Sequence, residues 1–276
     1  MGILAAKLIL TPSLIAIATL TARRWGPVVG GLVAGMPLTS GPVSVFLAIE
    51  RGATFAAAAA QAALLGLIAV VTFCIGYGKT AHRARWPASC VVGFICYFAA
   101  VLVLRNLSVG IYTSMLLVYS IIVAAMLLMS TTRKNAANRA ERALWDLPVR
   151  MIAATGMVLL ITGIADRIGP TWSGLLSPFP VFASVMAVFS HRASGAAAAI
   201  HVLRGVLTGS LAFASFFVTV ALMLRNESML PTYSAGAFVA LLVSGMSLAR
   251  LLPAANDPEN QTGSCSHRKS GSVDSI

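Results

Sequence analysis

The chain has 276 residues, of which 58% are hydrophobic and only 10% are charged, and its formal net charge is +12. Soluble domains carry about 25% charged residues, so this composition excludes an ordinary soluble protein and indicates a membrane protein. The basic residues lie in short clusters between apolar stretches and form no basic face, which argues against nucleic acid as a partner and is typical of loops at a membrane surface.

Nine apolar segments are long enough to cross a bilayer, which takes about 20 residues of helix. They lie at about 3–22, 26–49, 54–77, 87–104, 109–130, 147–165, 169–190, 196–224 and 231–251. The first is interpreted as a retained span, because no small-residue cleavage site follows it. The sequence therefore predicts an all-α polytopic membrane helix bundle with about nine transmembrane helices. Residues 1–252 would form a single transmembrane domain, and the polar tail at 253–276 is expected to be disordered.

The charges between the spans predict the orientation of the bundle. Basic residues concentrate in the odd-numbered connections, as at Arg23, Arg83, Arg133 and Arg192, and are fewer in the even-numbered ones. Cytoplasmic loops carry the excess of Lys and Arg, so we expect the N-terminus outside and the C-terminus in the cytoplasm of a bacterial inner membrane. The expected partners are the lipid bilayer and a small-molecule solute. A homo-oligomer is left open.

The segment 26–50 recurs later in the chain. GPVVGGLVAGMPLTSGPVSVFLAIE at 26–50 matches GPTWSGLLSPFPVFASVMAVFSHR at 169–192, without a gap, under a shift of 143 positions. The matched pairs include Gly26/Gly169, Pro27/Pro170, Gly31/Gly174, Leu32/Leu175, Pro37/Pro180, Gly52/Gly195, Gly66/Gly209, Phe73/Phe216 and Gly93/Gly236. The sequence thus predicts two copies of four helices, at about 5–105 and 148–248, joined by a linking helix at 109–130. Five spans, an odd number, separate equivalent positions, so the second copy should be inverted, as in many secondary transporters.

Several residues of the second copy carry a family resemblance. Arg150 opens the first helix, a Gly-Leu and a Phe-Pro run follow, and a Leu-Arg pair lies in the third helix. These runs comprise Gly174, Leu175, Phe179, Pro180, Phe182, Ala183, Leu203 and Arg204. In these residues the chain resembles the GlpM-type small bacterial inner-membrane proteins, which look like single four-helix units. The first copy keeps Gly31, Leu32, Pro37 and the run Glu50, Arg51, Gly52. The resemblance implies a fused, inverted pair of such units, and it bears on architecture more than on activity.

Two proline-containing segments inside apolar helices are the first candidates for a solute path. Their residues of interest are Pro37, Thr39, Ser40 and Pro42 in the segment 35–42, and Pro178 and Pro180 in the segment 177–180. Proline removes a helix hydrogen bond, and the freed backbone is tolerated at membrane depth only where protein or a water-filled cavity meets it. A half-helix that starts after Pro42 or Pro180 would direct backbone N–H groups at an anion. The alternative is a kink that serves packing alone.

Polar side chains inside spans are the second group of candidates. Arg204 and Gln61 occupy equivalent positions of the two copies, and we expect both to line a central path, with Arg204 favouring an anionic or carboxylate-bearing solute. The alternative places Arg204 at the cytoplasmic interface with its side chain snorkelling. Glu50 and His201 are weaker candidates for coupling, and an interfacial or packed role is favoured for both.

The predicted function is a secondary transporter or exporter of a small, potentially anionic metabolite. The alternative is a non-transporting membrane scaffold or accessory subunit of a cell-envelope assembly. An enzyme is not expected, because the sequence has no metal-type His or Cys spacing, no paired carboxylates within a span and no phosphate-binding GxxxxGK[ST] motif. No cofactor and no metal are predicted.

Overall fold

The computed structural model describes residues 13, 16, 17, 19–37, 40–107, 109–129, 148, 149, 151, 152, 156 and 175–251. The helices are α1 (Pro27–Gly35), α2 (Ser40–Arg51), α3 (Ala53–Ala81), α4 (Trp86–Leu104), α5 (Ile111–Leu128), α6 (Val181–Met223) and α7 (Met229–Leu251). Residues 19–25 are also helical, and no strand occurs in these ranges. The all-α prediction is confirmed for this part of the chain.

Five of the helices, α3 to α7, are long and apolar enough to cross a membrane. Helices α4, α5 and α7 each leave one apolar face uncovered, with exposed side chains such as Val103, Tyr112, Leu116, Leu127 and Leu230. Water disfavours contiguous apolar surface of this kind, whereas lipid tails do not. The helices therefore indicate a membrane-embedded protein whose outer faces meet lipid.

Four predicted spans agree with helices to within a few residues. The segments predicted at 54–77, 87–104, 109–130 and 231–251 correspond to α3, α4, α5 and α7. The segments predicted at 3–22 and 147–165 lie mostly outside the described residues, and so do most of the connection after α5 and the tail at 253–276.

Two helix corners are formed by a single glycine each instead of a loop. Helix α2 passes into α3 through Gly52 (φ 88°, ψ 164°), and α6 is interrupted at Gly195 (φ 82°, ψ −177°). Only glycine adopts this left-handed region without strain. We call residues 181–194 and 196–223 the first and second arms of α6. The described part of the predicted span 169–190 and the predicted span 196–224 are therefore separated by a kink at Gly195.

The span predicted at 26–49 is broken in two. Helices α1 and α2 have 9 and 12 residues, or about 13 and 18 Å of length, so neither alone crosses a core of about 30 Å. A second break precedes α6, at residues 177–180. Matching backbone hydrogen bonds shape the two breaks, with N–H groups donating from Met36 to Val33 (3.3 Å), Gly41 to Pro37 (2.9 Å), Phe179 to Leu176 (3.0 Å) and Ser184 to Pro180 (2.8 Å).

Helix α3 and the second arm of α6 form the buried centre, and the other helices surround them. Helix α1 packs closely on the second arm, because a methyl group on Gly31 or Gly35 would overlap the carbonyl oxygen of Val202 or Val206. The glycine pair Gly31 and Gly35, four residues apart, thus makes a close helix contact of the small-xxx-small type. Gly26 belongs to the same glycine-rich segment, but it forms a corner before α1 with φ 95°.

Candidate functional site

A small cavity lies where the two helix breaks meet. Its volume is about 40 Å³, which holds roughly three water molecules. Its walls come from both breaks and from the middle of the two central helices. The lining residues are Ala34, Gly35, Met36, Ser40, Leu67, Val70, Ser177, Pro178, Phe179, Pro180, Phe182, Ala183, Val206, Ser210 and Phe213.

Most of this lining consists of pairs of residues that are 143 positions apart. The pairs are Ala34/Ser177, Gly35/Pro178, Met36/Phe179, Ser40/Ala183, Leu67/Ser210 and Val70/Phe213. The two predicted copies therefore contribute matching walls to one cavity. The chemistry of the matched positions differs, because the residue equivalent to each of the three serines, 143 positions away, has no hydroxyl.

Ser40 joins the two breaks through a partly buried hydrogen bond. In a continuous helix the carbonyl of Ser177 would accept the N–H of Val181, but that N–H donates to the carbonyl of Phe179 at 2.7 Å. The Ser40 hydroxyl donates to the freed Ser177 carbonyl at 3.0 Å. The backbone polarity that the proline segment creates is thus met by a side chain of the other break.

Aromatic side chains of α4 hold the second break in place. The Phe179 ring stacks on Phe94 with centroids 5.5 Å apart and meets the edge of Tyr97 at 5.1 Å. The hydroxyl of the fully buried Tyr97 donates to the carbonyl of Leu175 at 3.3 Å. The described segment 175–180 is therefore fixed at both ends, although it contains no regular helix of its own beyond its first residues.

The breaks and the central helices approach each other reciprocally. A Cβ atom on Gly66 of α3 would fall 2.7 Å from the carbonyl oxygen of Leu175, and one on Gly209 of α6 would overlap the carbonyl oxygen of Leu32. Gly66 and Gly209 are equivalent positions, and so are Leu32 and Leu175. The backbone of each central helix therefore lies against the segment that precedes the break of the other predicted copy.

Three residues predicted for the solute path line the cavity, namely Ser40, Pro178 and Pro180. Pro37 lies between α1 and α2, and its carbonyl accepts a hydrogen bond from the N–H of Gly41. Helix α6 begins directly after Pro180, as predicted, whereas α2 begins at Ser40 and includes Pro42 in its first turn, where proline is tolerated. Thr39 lies outside the described residues.

The polar residues predicted within the spans lie away from this cavity. Gln61 donates its amide to the carbonyl of Val109 at 2.7 Å, and Arg204 is half-buried on the second arm. Neither is among the residues that line the cavity. His201 is half-buried, and its Nδ1 is buried without a hydrogen-bond partner in the described part of the chain. Glu50 is a helical residue of α2 whose side chain is not described.

Two further polar contacts join the copies near the helix ends. The hydroxyl of Tyr233 donates to the carbonyl of Ser44 at 2.8 Å and lies 2.9 Å from the Ser44 hydroxyl. The hydroxyl of the fully buried Tyr77 lies 3.1 Å from Nδ1 of His191. Sequence reasoning missed these residues. The available signal was a tyrosine within an apolar helix, because a buried tyrosine hydroxyl needs a partner.

No protein-family model, no curated protein and no solved structure matches the chain. Within the described ranges, no group of three or more His, Cys, Asp or Glu side chains comes together in a way that could hold a metal ion. The function is therefore inferred from the cavity, the breaks and the central helices.

Proposed function

We propose that the chain is a secondary transporter or exporter of a small metabolite, built on an inverted repeat of four helices with one linking helix. The observation that carries this proposal is the cavity, which lies between two broken helices and has walls of equivalent residues from both copies. Broken helices that meet at a central site between inverted repeats are a recurrent feature of secondary transporters.

Equivalent local geometry supports the repeat. The corners at Gly52 and Gly195 share the same unusual backbone conformation, and the two breaks share their backbone hydrogen bonds. A contact within each copy is also repeated, because a Cβ on Gly93 would fall 2.9 Å from the Phe73 ring and one on Gly236 would fall 3.2 Å from the Phe216 ring. Matching backbone conformations favour a true repeat over chance similarity of alanine- and glycine-rich helices.

The reciprocal approach of Gly66 to Leu175 and of Gly209 to Leu32 supports a two-fold relation between the copies. In a contact with two-fold symmetry, each pair of touching residues occurs twice, with the roles of the two units exchanged. With an odd number of spans between equivalent positions, the axis would lie in the membrane plane and the second copy would be inverted. A fused, inverted pair of GlpM-type units, the architecture implied by the sequence resemblance, is consistent with this relation.

The small cavity would correspond to a closed conformation of such a transporter. A volume of about 40 Å³ is well below the 300 Å³ or more of typical ligand sites, so a metabolite enters only when the walls separate. The short arms at 40–51 and 181–194 are each joined to a central helix by one glycine. They are the elements that can rotate with the least disruption, and exchange of their positions would open the cavity first to one side and then to the other.

Polar contacts between the copies distinguish this conformation from the exchanged conformation, in which each copy takes the conformation that the other has here. In three of these contacts a side-chain hydroxyl donates to a backbone carbonyl, namely Ser40 to Ser177, Tyr233 to Ser44 and Tyr97 to Leu175. In the fourth, the Tyr77 hydroxyl pairs with Nδ1 of His191. The equivalent pairs are Ala183 with Ala34, Cys90 with Ala187, Ala240 with Leu32, and Val220 with Ala48. None of the equivalent pairs has the side-chain group that makes the bond. These contacts would therefore favour the described conformation as the resting state.

Arg204 and Gln61 would act at the mouths of the path and not at its centre. Each lies five residues before the glycine that touches the opposite break, Gly209 or Gly66, which corresponds to about 7.5 Å along the helix. A guanidinium at one mouth would attract an anionic solute. The described cavity lining offers hydroxyl and backbone groups but no charged side chain, so the proposed solute is small and its charge is recognised outside the cavity.

The test is the accessibility of the cavity from both sides of the membrane. Val70→Cys places a thiol on the cavity wall, and Val71→Cys, at a fully buried neighbour that does not line the cavity, is the matched control. Both are made in a chain without Cys74, Cys90, Cys96 and Cys265. Membrane-impermeant thiol reagents are added from each side, with and without a mixture of small organic acids.

Labelling at position 70 from both sides, with slower labelling when a solute is present and no labelling at position 71, is the expected result. Absence of labelling at position 70 from either side would contradict the transport proposal and favour a packed membrane scaffold. Organic acids that protect position 70 then become the substrates for uptake measurements in proteoliposomes, with mass-spectrometric detection.

A further inference from the structure

The structure brings five basic side chains together at one end of the central helices. Lys79 lies in the last turn of α3, His82, Arg83 and Arg85 follow in the turn before α4, and Arg192 lies beside the Gly195 corner of α6. All five are exposed. We call this set, contributed by segments that are more than 100 residues apart in the chain, the basic corner.

One hydrogen bond and one longer-range electrostatic interaction show that these segments lie near each other. The buried Tyr77 hydroxyl, one helical turn before the end of α3, lies 3.1 Å from Nδ1 of His191. His82 is close enough to His191 for the two rings to interact electrostatically. Because Arg192 follows His191 and Arg83 follows His82, the two arginines extend from adjoining backbone segments.

The basic corner has no counter-charge within the described part of the chain. None of its five residues forms an ion pair there, and Glu227, the acidic residue whose side chain is described, lies beyond the far end of the second arm. Like charges on adjoining segments repel each other, so an unpartnered basic cluster is more stable with an anion bound. The described part of the fold therefore presents a cationic site that suits an external anion.

We propose that the basic corner binds the phosphate headgroup of an anionic membrane lipid. Two features favour a lipid over a dissolved anion. The cluster lies at the ends of helices that are long and apolar enough to cross a membrane, where headgroup phosphates are found. Trp86, which starts α4 next to Arg85, is partly exposed, and tryptophan at this level is typical of the membrane interface. Basic clusters between membrane helices are suited to anionic headgroups.

Lipid binding here has a structural consequence for α6. The headgroup would bridge the turn after α3 and the corner next to Gly195, so it would add a connection between α3 and the first arm. This binding depends only on the membrane location of the helices and is independent of transport.

The experiment compares two variants that remove the same charge from opposite ends of the central helices. Arg83→Gln with Arg192→Gln removes two of the charges of the basic corner. Arg51→Gln with Arg225→Gln removes two exposed arginines near the opposite ends of the central helices, because Arg51 ends α2 just before α3 and Arg225 follows the second arm. The purified full-length protein in neutral detergent is titrated with phosphatidylglycerol, with phosphatidylcholine and with inorganic phosphate. Native mass spectrometry counts the bound molecules, and the melting temperature without lipid controls for folding.

We expect phosphatidylglycerol to bind wild type and the Arg51/Arg225 variant equally, and the Arg83/Arg192 variant at least tenfold more weakly. Phosphatidylcholine and inorganic phosphate should not bind. Equal phosphatidylglycerol affinity in all three proteins would overturn the proposal. So would inorganic phosphate that competes for the site at millimolar concentration, because it would identify a site for a dissolved anion. If the Arg83/Arg192 variant melts at a lower temperature, the double variant Arg83→Lys with Arg192→Lys, which keeps both charges, must retain the stability and the lipid binding of the wild type.

Discussion

Moving one hydroxyl from the first copy to the second tests whether the polar contacts between the copies set the resting state. Ser40→Ala removes the hydrogen bond to the Ser177 carbonyl. Ala183→Ser places a hydroxyl at the equivalent position. In the exchanged conformation, this hydroxyl would meet the backbone carbonyl of Ala34. Both changes are expected to shift the population away from the described conformation, because Ser40→Ala destabilises that conformation and Ala183→Ser stabilises the exchanged conformation.

The magnitude follows from one hydrogen bond per substitution. A buried hydrogen bond of this type contributes about 0.5–1.5 kcal/mol net, so each single variant should change the ratio of the two conformations by about 2- to 12-fold at 25 °C. The two sites lie on different copies, so their effects should add. The double variant should then change the ratio by about 5- to 150-fold.

The assay is the ratio of labelling rates from the two sides at Val70→Cys, in the chain without its own cysteines. Ser210→Ala is the matched control, because Ser210 also lines the cavity and is equally buried, but its hydroxyl donates within its own helix, to the carbonyl of Val206 at 2.9 Å. We expect this control to leave the ratio unchanged. If position 70 is labelled but Ser40→Ala and Ala183→Ser both change the ratio less than twofold, the polar contacts do not set the resting state.

Four further changes test the corners, the close approaches and the path. Gly195→Ala should lower the free energy of unfolding by about 1–2 kcal/mol, because φ is +82° there. The control Gly245→Ala, in open space on α7, should not lower it. Denaturation in detergent measures both variants. Gly209→Ala should lower the yield of folded protein severalfold in size-exclusion chromatography, since the methyl group overlaps the Leu32 carbonyl, and an undiminished yield would contradict the close approach. Tyr97→Phe leaves the Leu175 carbonyl without its donor and should lower the free energy of unfolding by about 1 kcal/mol in the same assay. Arg204→Ala should reduce solute flux in proteoliposomes without loss of folded protein, and unchanged flux would remove Arg204 from the path.

The helix content could be predicted from the sequence because it depends on local pattern. Continuous apolar length predicted α3, α4, α5 and α7. The proline-containing segments 35–42 and 177–180 indicated where helices are interrupted, although α2 begins before Pro42 and not after it. These signals are local, since a proline disrupts its own helix whatever surrounds it. The cavity depends instead on which distant segments meet. No local pattern connects Ser40 with Ser177 or Gly66 with Leu175, so these contacts appear only in the folded chain.

The glycine corners show a second limit of sequence reasoning. Gly52 and Gly195 were matched as repeated residues, but the match did not predict that each would replace a loop. A sequence does not distinguish a glycine at a close helix contact from a glycine at a corner, because the residue type is the same. The two differ in the folded chain, where only the corner glycine has a positive φ. Arg204 and Gln61 show the converse, since their repeat positions match while their distance from the cavity depends on the crossing point of the central helices.

We expect the reciprocal contacts through Gly66 and Gly209 to make each half of the chain depend on the other for folding. The break of the first copy is covered by the second arm of α6, and the break of the second copy is covered by α3 and α4. A half expressed alone would leave a glycine-lined groove and an uncovered broken helix, which the membrane interior cannot hydrate. If the chain were cut between the copies and the fragments were co-expressed, neither would persist by itself, and the two would assemble as an obligate heterodimer.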